Sequence, residues 1–360
     1  MVPDGQTLTI ESGVEVIFQD PFKLNVQGSV LANGTASDTI TAADTTNGWH
    51  RICFDNTPAT NDSSKFFYCK VQYSRATGTS PDNRGGAFYF ENFSKAIISN
   101  CRISNNSASS GGGIYCYESS SPIITNNTIS NNSADYWGGG ICCIDNSNPT
   151  FKNTILWGNT SSTSGAQVYL NDENSDPNFY FCDVQGGTAA FGLNGVSYTG
   201  NYENNIDTDP LFMSPSAGSG TGYNGLTADW SLQSGSPCIN TGTPDTTGLN
   251  LPATDIAGNP RIINDRVDIG AYEYQGPGFI NEAQNTFSMN IYPKPATNHI
   301  HIECQTGGVV SVYNLQRKNI FTCHLEHQRI INTSNWPRGM YIVTYYSDNG
   351  SLSSQKLILQ

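Results

Sequence analysis

Three sets of side chains in this 360-residue sequence have types and spacings suited to chemistry. The first is aromatic. Tyr89, Tyr115 and Tyr169 share one position of a repeated segment, with Cys142 standing there in a fourth copy. If that segment is a strand stacked rung on rung, neighbouring rings lie about 4.8 Å apart on one face. A flat row of rings can stack on sugars, with hydroxyls at hand for hydrogen bonds. Tyrosine also suits a pleated surface with no ligand at all. The second set is acidic. Asp145 and Asp172 share a repeat position, and Glu173, Asp176 and Asp183 follow. Carboxylates on adjacent rungs are what a glycoside hydrolase needs, yet the matching positions of earlier copies are Asn92 and Glu118, which reads as a solvated turn. The third set is basic: Arg51, Lys65, Lys70, Arg75, Arg84, Lys95 and Arg102, with Asp55, Asp62 and Asp82 nearby. A polyuronate lyase needs such a base to take the proton beside a carboxylate, and cations, usually calcium, to neutralise that carboxylate. No compact acid–base cluster recurs from copy to copy, so solvated loop charge is the simpler account. No residue is assigned as catalytic, and the three tyrosines are the leading ligand-binding candidates.

The elements that must position these residues come from the repeat. GGAFYFENFSKAIISNCRISNNSA from Gly85, GGGIYCYESSSPIITNNTISNNSA from Gly111 and GGGICCIDNSNPTFKNTILWGNTS from Gly138 align without gaps. A weaker copy runs over 167–184 and an earlier one over 49–71. A period in the twenties signals a solenoid, and apolar–polar alternation after each Gly run signals strand. Phe88, Ile114, Ile141 and Val168 form one apolar column, and Phe90, Cys116, Cys143 and Leu170 the next. Ile98, Ile124, Phe151 and Phe179 form a third, on a second strand, and Ile103, Ile129, Leu156 and Val184 a fourth, giving two or three short strands per repeat. Regular leucines are missing, so stacked short strands of a parallel β-helix are predicted. Two columns are polar: Asn100, Asn126 and Asn153, giving way to Phe181, and Asn106, Asn132 and Asn159. Asparagine tolerates left-handed corners and bonds its equivalent one rung away, so both columns are expected to be structural.

Composition agrees. Asn, Ser and Thr make up about 30% of the chain, a mixture that favours turns over helices. Sixteen Phe, 18 Tyr and 5 Trp are too many aromatics for a disordered tail. No apolar run is long enough for a membrane span. The formal charge of -13 is uneven: residues 1–280 hold 26 acids and 11 bases, residues 281–360 hold 4 and 6. Such asymmetry predicts a separate C-terminal module. An acidic first part, with no Lys or Arg over 153–260, makes nucleic acid an unsuitable partner. Ten cysteines without a CxxC pair indicate neither a disulfide scaffold nor a zinc site. Cys304 and Cys323 are placed to bridge if the protein is exported. The first residues carry no basic stretch, apolar core and small-residue cleavage site, so a mature chain or a fragment is expected.

Three resemblances follow from these segments. The rung sequences resemble right-handed parallel β-helix repeats of secreted bacterial proteins. NIDTDPLF at 205–212, SLQSGSPCINTG at 231–242 and DIAGNPRIINDRVDIGAYEY at 255–274 resemble the choice-of-anchor Q domain, a family with no agreed enzymatic activity. Its Asp207, Asp209, Asp255, Asp268 and Glu273 are read as capping turns and pairing with Arg261 and Arg266, with calcium as the alternative. FSMNIYPKPATNHIHIE, VSVYNLQRKNI and WPRGMYIVTYYSDNGSLSSQKLILQ resemble the C-terminal sorting domain of type IX secretion, found in Bacteroidetes. Lys294 and Arg317 replace that pattern's usual Asn and Gly at two turns.

The expected architecture is all-β. A right-handed parallel β-helix spans residues 1–200, and a choice-of-anchor Q region over 201–276 caps or extends it. A linker at 277–286 leads to a sorting β-sandwich over 287–360. The resemblances imply a protein of the extracellular space or the outer-membrane surface of a Gram-negative bacterium, handled by the type IX machinery. Non-enzymatic binding of a glycan or a surface partner is the expected role. A polysaccharide lyase or glycoside hydrolase working in a β-helix groove, and a purely structural stalk, are the alternatives. No cofactor is expected, calcium aside.

Overall fold

The computed structural model describes the chain except residues 43–46, 56, 94, 248, 250, 264–265, 277–288, 305, 315–317 and 349–351, with the backbone alone at 33–42 and 352–354. The linker anticipated at 277–286 and the turn residue Arg317 lie outside the described residues. Two compact units are present, 1–278 and 279–360. No α-helix occurs among the described residues.

One rung shows how the repeat becomes a coil. Ile114–Tyr117 is a strand of the long face. After a turn, Ile123–Thr125 and Thr128–Ser130 form the two limbs of a bent face, hinged at Asn126. Ser133–Trp137 then runs out as a flange, and Gly138 turns the chain back into the next rung. Each strand pairs in parallel with its counterparts above and below, so Ile114 stands between Phe88 and Ile141. Alternation then sends Ile114 and Cys116 inward, and Ile124 and Ile129 likewise, all fully buried. The predicted apolar columns are continuous through one core. Rings stack along it, Phe54 on Phe90 at 5.1 Å and Phe151 on Phe179 at 4.8 Å. Phe191 and Tyr202 close the far end over Phe179, with centroids 5.6 and 5.9 Å from its ring.

The corners explain the asparagines. Asn100, Asn126, Asn153 and Phe181 all have φ between 47° and 54°, the left-handed region that asparagine tolerates best after glycine. At the second corner the left-handed residues are Asn105, Asn131 and Gly158, one position before the Asn106, Asn132, Asn159 column. That column runs inside the solenoid as a ladder. Asn106 Nδ2 donates to Asn132 Oδ1 and Asn132 Nδ2 to Asn159 Oδ1, both at 2.9 Å. Asn159 Nδ2 continues to Gln167 Oε1 at 2.6 Å. The same amides donate to the carbonyls of Val71, Ile103 and Ile129. A buried backbone that leaves its strand at a corner has polar groups without ladder partners, and these amides supply them.

The C-terminal unit is antiparallel. A three-stranded sheet of Asn290–Tyr292, His299–Glu303 and Gln328–Asn332 shares one core with a four-stranded sheet of Asn319–Leu325, Gly308–Asn314, Gly339–Ser347 and Leu352–Leu359. This is the small β-sandwich predicted from the strand-and-turn pattern. Cys304 and Cys323 carry free thiols rather than a bridge, and the Cys304 thiol donates to the His327 carbonyl at 3.4 Å.

Replacing Asn132 with Ala would remove an acceptor from the Asn106 N–H and amide and a donor from the Ile103 carbonyl. Urea unfolding is expected to show a loss of about 2–4 kcal/mol, the cost of several stranded buried groups. A loss under about 0.5 kcal/mol would mean that the ladder is replaceable by water.

Candidate functional site

A rung has three outward surfaces: the long face and the two limbs of the bent face. Their different fates decide where a ligand has room.

The long face is closed. Cys53, Tyr89, Tyr115, Cys142 and Tyr169 form its outward column and are all buried, so the open row of rings anticipated from the sequence is not there. Tyr89 and Tyr115 do stack, at 5.6 Å. The flange covers them. Arg84, Ser110 and Trp137 stand in register on three successive flange levels. The Arg84 guanidinium lies 5.4 Å over the Tyr115 ring, and Trp137 stacks on Tyr169 at 5.5 Å. Gly111, at φ 66°, makes the return possible; a Cβ there would fall 2.6 Å from the Ile114 carbonyl oxygen. Arg51 seals the next rung. It is 1% exposed, lies 4.3 Å over the Tyr89 ring and is held by the Pro81 carbonyl at 2.8 Å and Asp82 at 3.1 Å. Burial raises the Tyr89 and Tyr115 phenols well above the usual range. These tyrosines are packing residues, because the sequence pattern shows that a side chain points outward but not that another segment lies over it.

The second limb is closed by residues 207–274. These neither cap nor lengthen the coil. Added length ends with Tyr202–Glu203 and the Asp183–Ile206 bridge, after which the chain folds back as a strap along the side of the solenoid. The limb's outward column, Lys70, Arg102, Thr128, Ile155 and Asp183, lies beneath it. Arg102 lies 4.5 Å from the Trp230 ring, Thr128 Oγ1 accepts the Ala271 N–H at 3.1 Å, and Ile155 packs in the strap's core with Trp230 and Ile269. The corner residues clamp the strap: Asn105 and Asn131 amides donate to its backbone at Gly220 and Ser216, and Asn153 Oδ1 accepts the Thr243 N–H at 2.7 Å. Sequence reading missed Asn105 and Asn131 as anchors; the doubled Asn at each second corner was the available signal.

The candidate acids are used by the fold. The Asp172 carboxylate accepts the Asp145 N–H at 2.6 Å and the Ser175 hydroxyl at 3.0 Å, and Asp145 itself is a left-handed turn residue at φ 57°. Asp255, Asp268 and Glu273 gather around the buried Arg261 and mostly accept backbone N–H groups, among them Glu273 N to Asp255 at 2.8 Å and Tyr274 N to Asp268 at 2.6 Å. Arg261 approaches Glu273 at 3.8 Å. Burial, and then the Asp268 charge, outweigh that approach and push Glu273 up to about 8. Among the described residues Arg266 has no carboxylate partner; it donates to the carbonyls of Thr241 and Gly242 and lies 5.8 Å from the Phe181 ring. Among the described residues, no group of three or more His, Cys, Asp or Glu side chains is arranged to hold a metal ion.

The first limb is open. Its outward positions form two columns, Lys65, Ile97, Ile123, Thr150 and Asn178, and Phe67, Ser99, Thr125, Lys152 and Tyr180. No acid occurs among these ten positions. Ile123 is 47% exposed, while Ser99 and Thr125 lie buried at the floor. The strap forms one wall: Leu249 and Pro252 close a hollow of about 290 Å³ over Lys65, Phe67, Tyr68, Ile97, Ser99, Asn100 and Thr125. Among the described residues Lys65 makes no ion pair. The Lys152 ammonium lies 5.8 Å from the Tyr180 ring. Aromatic faces, hydroxyls and two cations therefore line a groove parallel to the coil axis, with rungs about 4.8 Å apart.

Asp183 gives the strap a pH dependence. Its fully buried carboxylate accepts the Cys238 thiol at 3.2 Å and the Thr208 N–H at 3.3 Å, and burial pushes it up to about 7. An unfolded Asp titrates near about 3.9. Folding therefore takes up a proton between these values, and stability falls as pH rises from about 4 to 7. Melting temperatures measured from pH 5 to 8 are expected to decline, and Asp183→Asn to flatten that decline. An unchanged slope in the variant would mean that Asp183 is ionised in the folded chain.

Residues 59–222 match the family model of the right handed beta helix region, and residues 290–360 match that of the secretion system C-terminal sorting domain. No curated protein and no solved structure matches the chain. No helix among the described residues is long and apolar enough to cross a membrane. The chain therefore carries a right-handed β-helix region followed by a type IX secretion sorting domain, the organisation of a protein sent to the cell surface or the extracellular space.

Proposed function

We propose that the β-helix is a surface-displayed scaffold that binds a glycan chain, without cleaving it, in the groove along the first limb of its bent face. One observation carries this reading. Among the described residues, of the three outward surfaces this alone is left open by the chain's own flange and strap, and it is lined by Phe67, Tyr180, Ser99 and Thr125 with Lys65 and Lys152. Rings stack on sugar faces and hydroxyls meet sugar hydroxyls. A 1,4-linked pyranose advances its chain by about one rung, so an extended glycan can meet an equivalent position at each level. The carboxylates proposed for hydrolysis serve turns and strap instead, which favours binding over catalysis.

The choice-of-anchor Q-like segments of residues 205–274 then serve as the strap that walls this groove. The sorting domain's usual host, a Bacteroidetes bacterium, and handling by the type IX machinery belong to the same reading.

Affinity electrophoresis of the full chain through gels containing single polysaccharides tests it. At least one polymer is expected to retard the protein. Phe67→Ala is expected to weaken that retardation about tenfold, the loss of one stacked ring. Tyr89→Phe should leave it unchanged, because Tyr89 is buried under Arg51. Unaltered mobility in every gel would favour a stalk, and a cleared track behind the protein would make it an enzyme.

A further inference from the structure

We infer that the groove binds an extended, negatively charged glycan at two anchors, one at each end, with lysines rather than a metal ion meeting its charge. The inference rests on the glycan-binding reading and names the ligand class. Its ground is where rings and cations fall along the groove. At its first rung Lys65 and Phe67 share one outward strand face. At its far end Lys152 and Tyr180 stand in register on neighbouring rungs, with the ammonium 5.8 Å from the ring. All four side chains are half-buried. The rungs between carry Ile97, Ser99, Ile123, Thr125 and Thr150, none of them charged.

Register fixes the spacing. Lys65 and Lys152 are three rungs apart, about 14 Å along the axis, and Phe67 and Tyr180 are four rungs apart, about 19 Å. An extended glycan that reaches both anchors therefore needs about four pyranoses. Contacts joined on one chain reinforce each other, because the second forms within the complex, whereas a short ligand engages one anchor only.

Charge selects the ligand. Residues 1–280 hold 26 acids and 11 bases, so most of that surface repels an anionic polymer. The ten outward positions of the groove hold two lysines and no acid. Among the described residues lining the hollow under Leu249 and Pro252, Lys65 alone is charged. Neither lysine has an ion-pair partner among the described residues. The acid whose charge reaches Lys152 is the exposed Asp245 of the strap, and its carboxylate accepts the Thr247 N–H at 2.9 Å. An ammonium beside an apolar wall, without a carboxylate of its own, is matched by a carboxylate or sulfate on the sugar through a charge-assisted hydrogen bond. With no acid at these positions, a bridging calcium ion would lack the carboxylates it needs.

Calorimetric titration of the full chain in the presence of a chelator tests this, with oligogalacturonates, sulfated galactan oligomers and cello-oligosaccharides, each from dimer to hexamer. An acidic hexamer is expected to bind at least about tenfold more tightly than cellohexaose, and at least about tenfold more tightly than the matching acidic dimer. Whichever acidic series binds more tightly identifies the anion as carboxylate or sulfate. Lys65→Gln and Lys152→Gln are each expected to weaken the acidic hexamer at least about fivefold and to leave cellohexaose within about twofold, with melting temperature recording that the fold persists. Equal affinity for acidic and neutral hexamers would overturn the charge assignment and leave glycan binding standing. An acidic dimer as tight as the hexamer would overturn the two anchors. Binding that appears only when calcium replaces the chelator would overturn the lysines in favour of a bridging metal. If no oligomer and no embedded polysaccharide binds, both readings fail together.

Discussion

The structure depends on the parallel stacking of nearly identical rungs. Once a strand pairs in register with its copy above, every residue stands over the equivalent residue of the next rung. Any tolerable side chain must then be tolerable as a column. Apolar columns make a continuous core, and charged columns would repel inside it. Corners are the difficult places, since backbone groups leave the ladder there while still buried. Asparagine meets both demands at once: it adopts the left-handed turn, or it lends an amide that donates and accepts along the axis. That double requirement accounts for much of the chain's unusual composition.

A coil whose outward surfaces are also strand faces has more sticky area than it can leave exposed. This chain covers its own. The flange folds over the long face, where cation–ring contacts from Arg51 and Arg84 and the Trp137–Tyr169 stack replace solvent. The strap covers the second limb and brings a second hydrophobic core with it. What stays open is therefore defined by exclusion. The column beneath the flange holds three buried tyrosines and that beneath the strap holds Arg102 and the buried Asp183, whereas the buried floor of the open limb is Ser99 and Thr125.

The acidity of the first 280 residues takes on a local meaning. Several acids are buried within the strap, where they serve as acceptors for backbone N–H groups. Asp183, Asp268 and Glu273 are pushed up by burial to about 7, 6 and 8. The formal charge thus overstates the surface charge near neutrality. It also makes the packing of the strap on the coil responsive to pH.

The sequence by itself determined the coil, because a period of 26 or 27 residues with two-residue alternation admits few architectures, and parallel register follows directly from it. It also determined which columns face inward, where the asparagine corners fall, and that a differently charged module ends the chain. Only the tertiary structure decided which outward surface is free. Tyr89, Tyr115 and Tyr169 point outward as alternation requires, yet are buried, because the covering residues Arg51, Arg84 and Trp137 come from other parts of the rung and from neighbouring rungs. The strap over the second limb is equally invisible to periodicity, since residues 207–274 have no repeat and dock through a second hydrophobic core and through hydrogen bonds from Asn105, Asn131 and Asn153.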